Sequence, residues 1–348
     1  MTTELQTRPR PKADATNGQV KASAKTTMKA AVYRRFGPPE QIRITEIDKP
    51  VVDDDGVLVR VHAASINALD WRSIEGRPAV ARVMGMGFRK PKRSIPSLDL
   101  AGRVEAVGKS VTEFKPGDEV IGHRINACAE YVLGKERHFV MKPARLTFQQ
   151  AAAVPVAGMT ALEALQFAKT GPGQKVLING AAGGVGTFAV QIAKALGADV
   201  TAVCSTRNVD MVRSLGADRV IDYTKEDFTR SGLKHDLMLD IAGNRSLSDC
   251  RRALTRDGTL LIIGGNDGFL LGPITRMVQA FATRRFVSQK MIPFISQGTK
   301  DGMVKLTELI EAGKLTPVVE RTYPLSETAA AIRYVRGGHA KAKVVVTM

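Results

Sequence analysis

Between Met28 and Val140 apolar positions alternate with polar ones or run in short β-branched stretches: MKAAVYRRF, QIRITEI, GVLVRVHAASI, AGRVEAVG and DEVIGHRI. Side chains on a half-buried strand change face at every residue, so these segments predict strands. FGPPE, DDDG, VGKS and KPGD separate them with residues that tight turns favour. Many short strands so punctuated predict a β-barrel-like domain over residues 28–150. Near Thr147 the period lengthens, and FQQAAAVPVAGMTALEALQFAK predicts helices broken at Pro155 and Gly158. Strands then alternate with helices. Strands are predicted at 175–179, 199–204, 219–222, 236–240 and 259–263, and helices at 184–196, 209–215 and 246–254. That alternation predicts an α/β domain with a doubly wound parallel sheet over residues 151–288. A helix at 303–312 and a strand at 342–347 fit neither unit alone, so residues 289–348 are expected to return to the first domain.

At 348 residues the chain exceeds what one core ordinarily serves, which agrees with two domains. Residues 1–27 are polar, Pro-containing and basic, without an apolar secretory core, and are expected to form a disordered tail. Glu4 and Asp14 oppose a transit peptide. Cys128, Cys204 and Cys250 are sparse and odd in number, which suits free thiols in a reducing compartment, and the cytoplasm is the expected location.

The formal net charge of +17 is unevenly spread. Arg77, Arg82, Arg89, Lys90, Lys92 and Arg93 crowd 77–93 with no acid. Arg276, Arg284, Arg285 and Lys290 do the same in 270–290. Apolar residues interleave both segments: Val80, Val83, Met84, Met86 and Phe88 in the first; Leu270, Leu271, Ile274, Met277, Val278, Phe281, Phe286 and Val287 in the second. Positions 270, 274, 277, 278 and 281 share one helical face. One reading is a rim that meets anionic membrane. The other is solubility, with the apolar face packed on the domain or on a second subunit of a homodimer. Nucleic acid is the weaker anionic partner.

Asn-Gly-Ala-Ala-Gly-Gly-Val-Gly at 179–186 follows a predicted buried strand and opens a predicted helix. In the dinucleotide fingerprint Ala181, Gly183 and Gly186 take the three glycine positions. The middle one lets the backbone approach a pyrophosphate, and the last allows close helix–strand packing. Exposed amides at the helix start suit phosphate. The loop in its strand–helix setting predicts that the second domain binds a dinucleotide. About twenty residues on, NAD enzymes hold the ribose hydroxyl with an acid. Here Ser205, Thr206 and Arg207 follow the second strand, without an acid. Hydroxyls and a guanidinium suit a 2′-phosphate, so NADPH is the expected cofactor.

Pro-Ser-Leu-Asp-Leu-Ala-Gly-Arg-Val-Glu-Ala-Val-Gly (96–108), Lys-Pro-Gly-Asp-Glu-Val (115–120), Gly-Met-Thr-Ala-Leu-Glu-Ala (158–164) and the glycine loop resemble the medium-chain dehydrogenase/reductases. Gly-Ala-Asp-Arg-Val-Ile-Asp-Tyr (216–223) resembles the zinc-independent quinone oxidoreductase branch, including the reticulon-4-interacting-protein-like enzymes. The resemblance implies a GroES-like catalytic domain left for a Rossmann domain and rejoined at the end. It implies Thr160 near the nicotinamide, and Ala182, Gly184 and Val185 along the pyrophosphate. It sets Ser205 and Tyr223 around the adenosine phosphate and Gly264 on the nicotinamide side. It implies that Ala340, Lys341 and Ala342 close on the cofactor, although related sequences often read Arg-Gly at 341–342. Zinc alcohol dehydrogenases carry His-Glu where this chain has Leu98-Asp99. Leucine offers a metal no lone pair, and no catalytic metal is expected.

Asn67 matches a family asparagine beside the nicotinamide, and its amide is a candidate hydrogen-bond donor to the ribose or the substrate oxygen. It reads equally as a residue closing the turn after a strand. Trp71 and Arg72 stand where relatives carry a Tyr. The implied activity is hydride transfer from NADPH to a small hydrophobic quinone or conjugated carbonyl. An enone or aldehyde reductase and a non-catalytic NADPH-binding protein are the alternatives.

Overall fold

The alternating segments of the N-terminal half form β1 (Thr27–Val32), β2 (Arg43–Asp48), β3 (Gly56–Ile66), β4 (Asp99–Val107) and β5 (Glu119–His123). Helix α1 (Ala68–Glu75) and the single turn α2 (Ala79–Ala81) lie between β3 and β4, and two short strands follow β5, β6 (Tyr131–Lys135) and β7 (Phe139–Met141). In this computed structural model, residues 26–82, 87–92, 94–123, 126–264, 274–283 and 287–348 are described. Nearly all of the expected N-terminal tail lies outside them.

Thr147 caps α3 (Phe148–Ala152), accepting a bond from the Gln150 amide, and Pro155 opens α4 (Pro155–Phe167). The predicted break at Gly158 is absent. Gly158 sits inside α4, where an added Cβ would lie 2.9 Å from Leu306 Cδ1. Glycine is there for the approach of a neighbouring helix, not to end its own.

The α/β half follows as β8 (Lys175–Asn179), α5 (Gly184–Ala195), β9 (Asp199–Cys204), α6 (Val209–Ser214), β10 (Arg219–Asp222), β11 (His235–Asp240), α7 (Leu247–Arg252), β12 (Leu254–Ile262), α8 (Ile274–Thr283) and β13 (Lys290–Pro293). All six strands run parallel in the order β10-β9-β8-β11-β12-β13. This sheet runs past the expected boundary at 288, because β13 pairs with β12. Helix α9 (Lys300–Glu311) packs on α4 through Leu306. The return to the first domain comes with β14 (Val319–Pro324), α10 (Thr328–Arg336) and β15 (Lys343–Thr347). β15 runs antiparallel to β3 and completes a sheet ordered β14-β15-β3-β4-β5-β7, with β6 also on β3.

One apolar core continues from the first domain, through Ala63, Ala101 and Ile121, into Met159, Phe188 and Leu306 of the second. A large side chain buried there contributes about 1.5–3 kcal/mol, so the two domains are held in register along the cleft between them.

Several cations of the basic segments are tied down. Arg77 pairs with Glu75 at 3.0 Å, and Arg82 donates to the carbonyls of Glu75 and Gly76 over the Phe36 ring. Arg276 is buried and pairs with Asp240 at 2.6 Å, so it points into the domain and not outward as the rim reading required. Phe88, Arg89, Lys90 and Lys92 are exposed, as are Val278 and Phe281. Val83, Met84, Met86, Arg93, Leu270, Leu271, Arg284, Arg285 and Phe286 lie outside the described residues, as do the side chains of Ile274 and Met277. Among the described residues, no helix is long and apolar enough to cross a membrane.

Candidate functional site

A cleft of about 500 Å³ opens at the C-terminal ends of β8, β9 and β11. The strand order reverses between β8 and β11, the place where open parallel sheets take dinucleotides. Ala182 and Gly183 line it, with Ser205, Arg207 and Tyr223 at one end and Ala340 from the return segment. The glycine loop is shaped by backbone contact. Gly180 turns with φ +94°, and a Cβ on Gly186 would lie 2.2 Å from the Gly180 carbonyl oxygen. Gly183 is the N-cap of α5 and no side chain caps that helix, which leaves its first amides open to an anion. The expected first fingerprint residue, Ala181, is fully buried, and its N–H bonds to Val203. The left-handed turn falls one residue earlier, at Gly180, which the pattern had not singled out.

The return segment crosses this loop. The Ala342 N–H donates to the Ala182 carbonyl at 2.7 Å, and Gly183 and Ala342 form a parallel bridge. Ala342 has φ 45°, a left-handed conformation that costs a non-glycine residue roughly 1–2 kcal/mol. That accounts for the glycine in relatives. Gly184 and Val185 make the first turn of α5, and Val185 packs against the core. The Lys341 N–H donates to Glu320, and Lys341 is not among the lining residues. Gly264 is fixed by close approach, since a Cβ there would lie 1.7 Å from the Ile241 carbonyl oxygen.

At the far end the Arg207 guanidinium donates to the His339 carbonyl, linking the two domains. Ser205 Oγ accepts from Asn208. Thr206 turns away from the cleft lining and donates to Asp222 at 2.6 Å. No acid follows β9 in sequence, yet the fold brings one from the end of β10. The Thr206 and Thr224 hydroxyls hold the Asp222 carboxyl below the usual carboxylate range.

A second cavity, about 430 Å³, adjoins the first: Ala68 lines the cleft and Leu69 the cavity. Leu98, Val156, Met159, Ile263 and Phe294 make its walls apolar, and Thr160 and His123 add polar groups. The Thr160 hydroxyl is spent on the Val156 carbonyl at 2.7 Å.

Beneath this cavity lies a buried polar network. Asn67 caps α1 beside the fully buried Asp99. Its amide donates to Asp99 Oδ2 at 2.9 Å and to the Ser65 carbonyl at 3.3 Å, and its Oδ1 accepts from Lys343 Nζ. Both amide hydrogens are therefore taken within the protein, and Asn67 lines neither cavity. The expected donor to a substrate oxygen is here a holder of its neighbours. Lys343 is buried and lies 3.9 Å from Asp99. Burial lowers its pKa, while Asp99 and Asp70 oppose that shift. Burial, reinforced by Asp99, pushes the Asp70 carboxyl up to about 7 although it accepts from the Asn67 and Ser97 amides.

The fold thus favours protonated Asp70. That contribution is complete below the ordinary value of 3.8 and is lost as pH rises through about 7. Unfolding midpoints measured from about pH 5 to 8 are expected to fall more steeply for the unmodified protein than for Asp70→Asn. Parallel curves would contradict this.

Residues 53–164 match the alcohol dehydrogenase GroES-like domain, and residues 215–346 match the zinc-binding dehydrogenase family. The chain is 34% identical to the mouse NAD(P)H oxidoreductase RTN4IP1, mitochondrial, over 93% of this chain and 90% of the relative. It is 32% identical to the Arabidopsis thaliana NADPH-dependent alkenal/one oxidoreductase, chloroplastic, over 95% and 82%. The structure is similar to that of the quinone oxidoreductase from Coxiella burnetii, with a TM-score of 0.81 and 29% identity over 93% of this chain and all of that one. Two of these names place the relatives in organelles, not in the cytoplasm expected from the cysteine pattern. The second family description names zinc, but the residues here do not fit it. Leu98 faces the cavity, and both Asp99 oxygens already accept bonds, Oδ1 from the Val156 amide and Oδ2 from Asn67. Among the described residues no three His, Cys, Asp or Glu side chains gather as a metal site.

Proposed function

The chain belongs to the medium-chain dehydrogenase/reductase family, in its quinone oxidoreductase-like branch, and from that premise we propose that it reduces quinones or related conjugated carbonyls with NADPH, without zinc. Oxidation–reduction with a nicotinamide cofactor follows from the family. The observation that carries the finer reading is the adjacency of the dinucleotide cleft and the apolar cavity, which meet at Ala68 and Leu69. A hydride donor held in the first would lie beside an apolar acceptor held in the second. When bound, the nicotinamide supplies the hydride. The loop from Gly180 to Gly186 offers amides to the pyrophosphate. Val156, Met159 and Phe294 exclude water, and Asn67, Asp99 and Lys343 fix the floor. The test is steady-state NADPH oxidation with a panel of quinones and enones. Binding of NADPH with no turnover on any acceptor would make this a binding protein instead.

Ser205 and Arg207 support a preference for the 2′-phosphate. NADPH is expected to bind at least about tenfold tighter than NADH, about 1.4 kcal/mol, and Arg207→Ala to narrow the gap. Equal dissociation constants in the unmodified protein would sink the preference. Turnover is also expected to survive prolonged chelation. Activity lost to EDTA and restored by zinc would refute the metal-free mechanism.

A further inference from the structure

We propose that His123 is the catalytic acid of this site, giving a proton to the acceptor oxygen as hydride arrives at carbon; the proposal rests on the reductase reading above. His123 ends β5, and its ring borders the apolar cavity. Among the residues lining that cavity it is the one with an ionisable side chain. The other polar groups there are weak donors: the Thr160 hydroxyl is taken by Val156, and Ser296 is a neutral hydroxyl.

The ring is buried, and Nδ1 lies 3.5 Å from Asp99 Oδ1 with no hydrogen-bond partner among the described residues. An unsatisfied ring nitrogen in an apolar setting is costly, and a small rotation would close a bond to the carboxylate. With Nδ1–H on Asp99, Nε2–H is the proton left for the cavity. Asp99 on β4 is the charged group facing the ring, with Lys343 on β15 and Asp70 on α1 behind it. An anionic partner on one ring nitrogen stabilises the imidazolium and fixes its direction.

The step balances. Hydride from reduced nicotinamide adds two electrons and one hydrogen to the β-carbon of an enone, or to the quinone ring system. The displaced π pair moves onto the carbonyl oxygen, and the bond from Nε2 to hydrogen breaks as the oxygen–hydrogen bond forms. The neutral imidazole then regains a proton from solvent.

The need for an acid grows with the basicity of the reduced oxygen. A series of quinones and enones ordered by that basicity therefore tests the proposal. His123→Gln keeps a neutral amide donor within reach of Asp99 but cannot act as an acid, and His123→Phe preserves ring volume. Both are expected to bind NADPH and melt as the unmodified protein does. Their kcat should fall about a hundredfold or more on the enones and less than about tenfold on the most electron-poor quinone. The unmodified protein should show a normal solvent deuterium isotope effect on enones, and the variants should lose it. A uniform loss across the series, no loss, or an absent isotope effect on enones would overturn the acid role while leaving the reductase reading intact. No turnover of any acceptor by the unmodified protein would overturn both.

Discussion

Gly186→Ala is expected to weaken NADPH binding at least about a thousandfold, about 4 kcal/mol, and to lower the unfolding midpoint without cofactor. The added methyl would lie 2.2 Å from the Gly180 carbonyl oxygen and 2.7 Å from Ala181 backbone atoms. Every one of these neighbours is backbone, so none yields by a side-chain rotation. The loop must open, and the first turn of α5 and the bridge to Ala342 go with it. Gly183→Ala is the matched control. Its methyl has one neighbour inside 4 Å, the Gly180 oxygen at 3.5 Å, an ordinary contact. That variant should melt like the unmodified protein and lose affinity alone, because the methyl occupies the approach to the pyrophosphate. Fluorescence titration and thermal melting of the pair separate the two roles. Undiminished NADPH affinity in Gly186→Ala would mean that the cofactor lies elsewhere.

Lys343→Met is expected to cost about 3–5 kcal/mol, the range for removing one partner of a buried ion pair. Asp99 would then stay buried without its cation, Asp70 would lose one too, and Asn67 Oδ1 would lose its donor. Methionine fills much of the lysine stem, so the loss reports charge and hydrogen bonding more than volume. Adding Asp99→Leu to Lys343→Met should cost less than the two single changes summed, since each single change leaves a lone buried charge. Denaturant unfolding of the four proteins measures this. Additive losses would show that the two residues do not act as a unit.

The elements with strong periodicity were legible in the sequence. The alternation in GVLVRVHAASI gave β3, and the strand–helix repeat gave five of the six parallel strands, with the glycine loop between β8 and α5. β13 was not legible, because Lys290–Pro293 is too short to show a period and owes its place to β12. β14 is half exposed and mixes charges with apolar residues, so it lacks the contrast that marks a strand. α10 is short, and of its buried residues Thr328, Ala331 and Ile332 only one is a large apolar side chain. The glycine loop was readable because it is one local motif between a strand and a helix. The floor of the second cavity was not, because Asn67, Asp99, His123 and Lys343 come from distant parts of the chain and meet only when β3, β4, β5 and β15 pair. A faint signal was present. Asp99 stands between Leu98 and Leu100, and Lys343 leads into Val344, Val345 and Val346. A charge placed in an apolar strand is buried and needs a partner.

Bound NADPH is expected to reduce an acceptor seated in the Leu98–His123–Thr160 cavity. The most direct measurement is an anaerobic single turnover: stoichiometric NADPH bound to the protein, mixed rapidly with a quinone or an enone, with absorbance followed and the product identified. One NADPH consumed per hydroquinone or saturated ketone formed, and slowing of that step when Leu98→Trp fills the cavity, is the expected result. NADPH that stays bound and unoxidised with every acceptor, or oxidation at the same rate with the cavity filled, would contradict it.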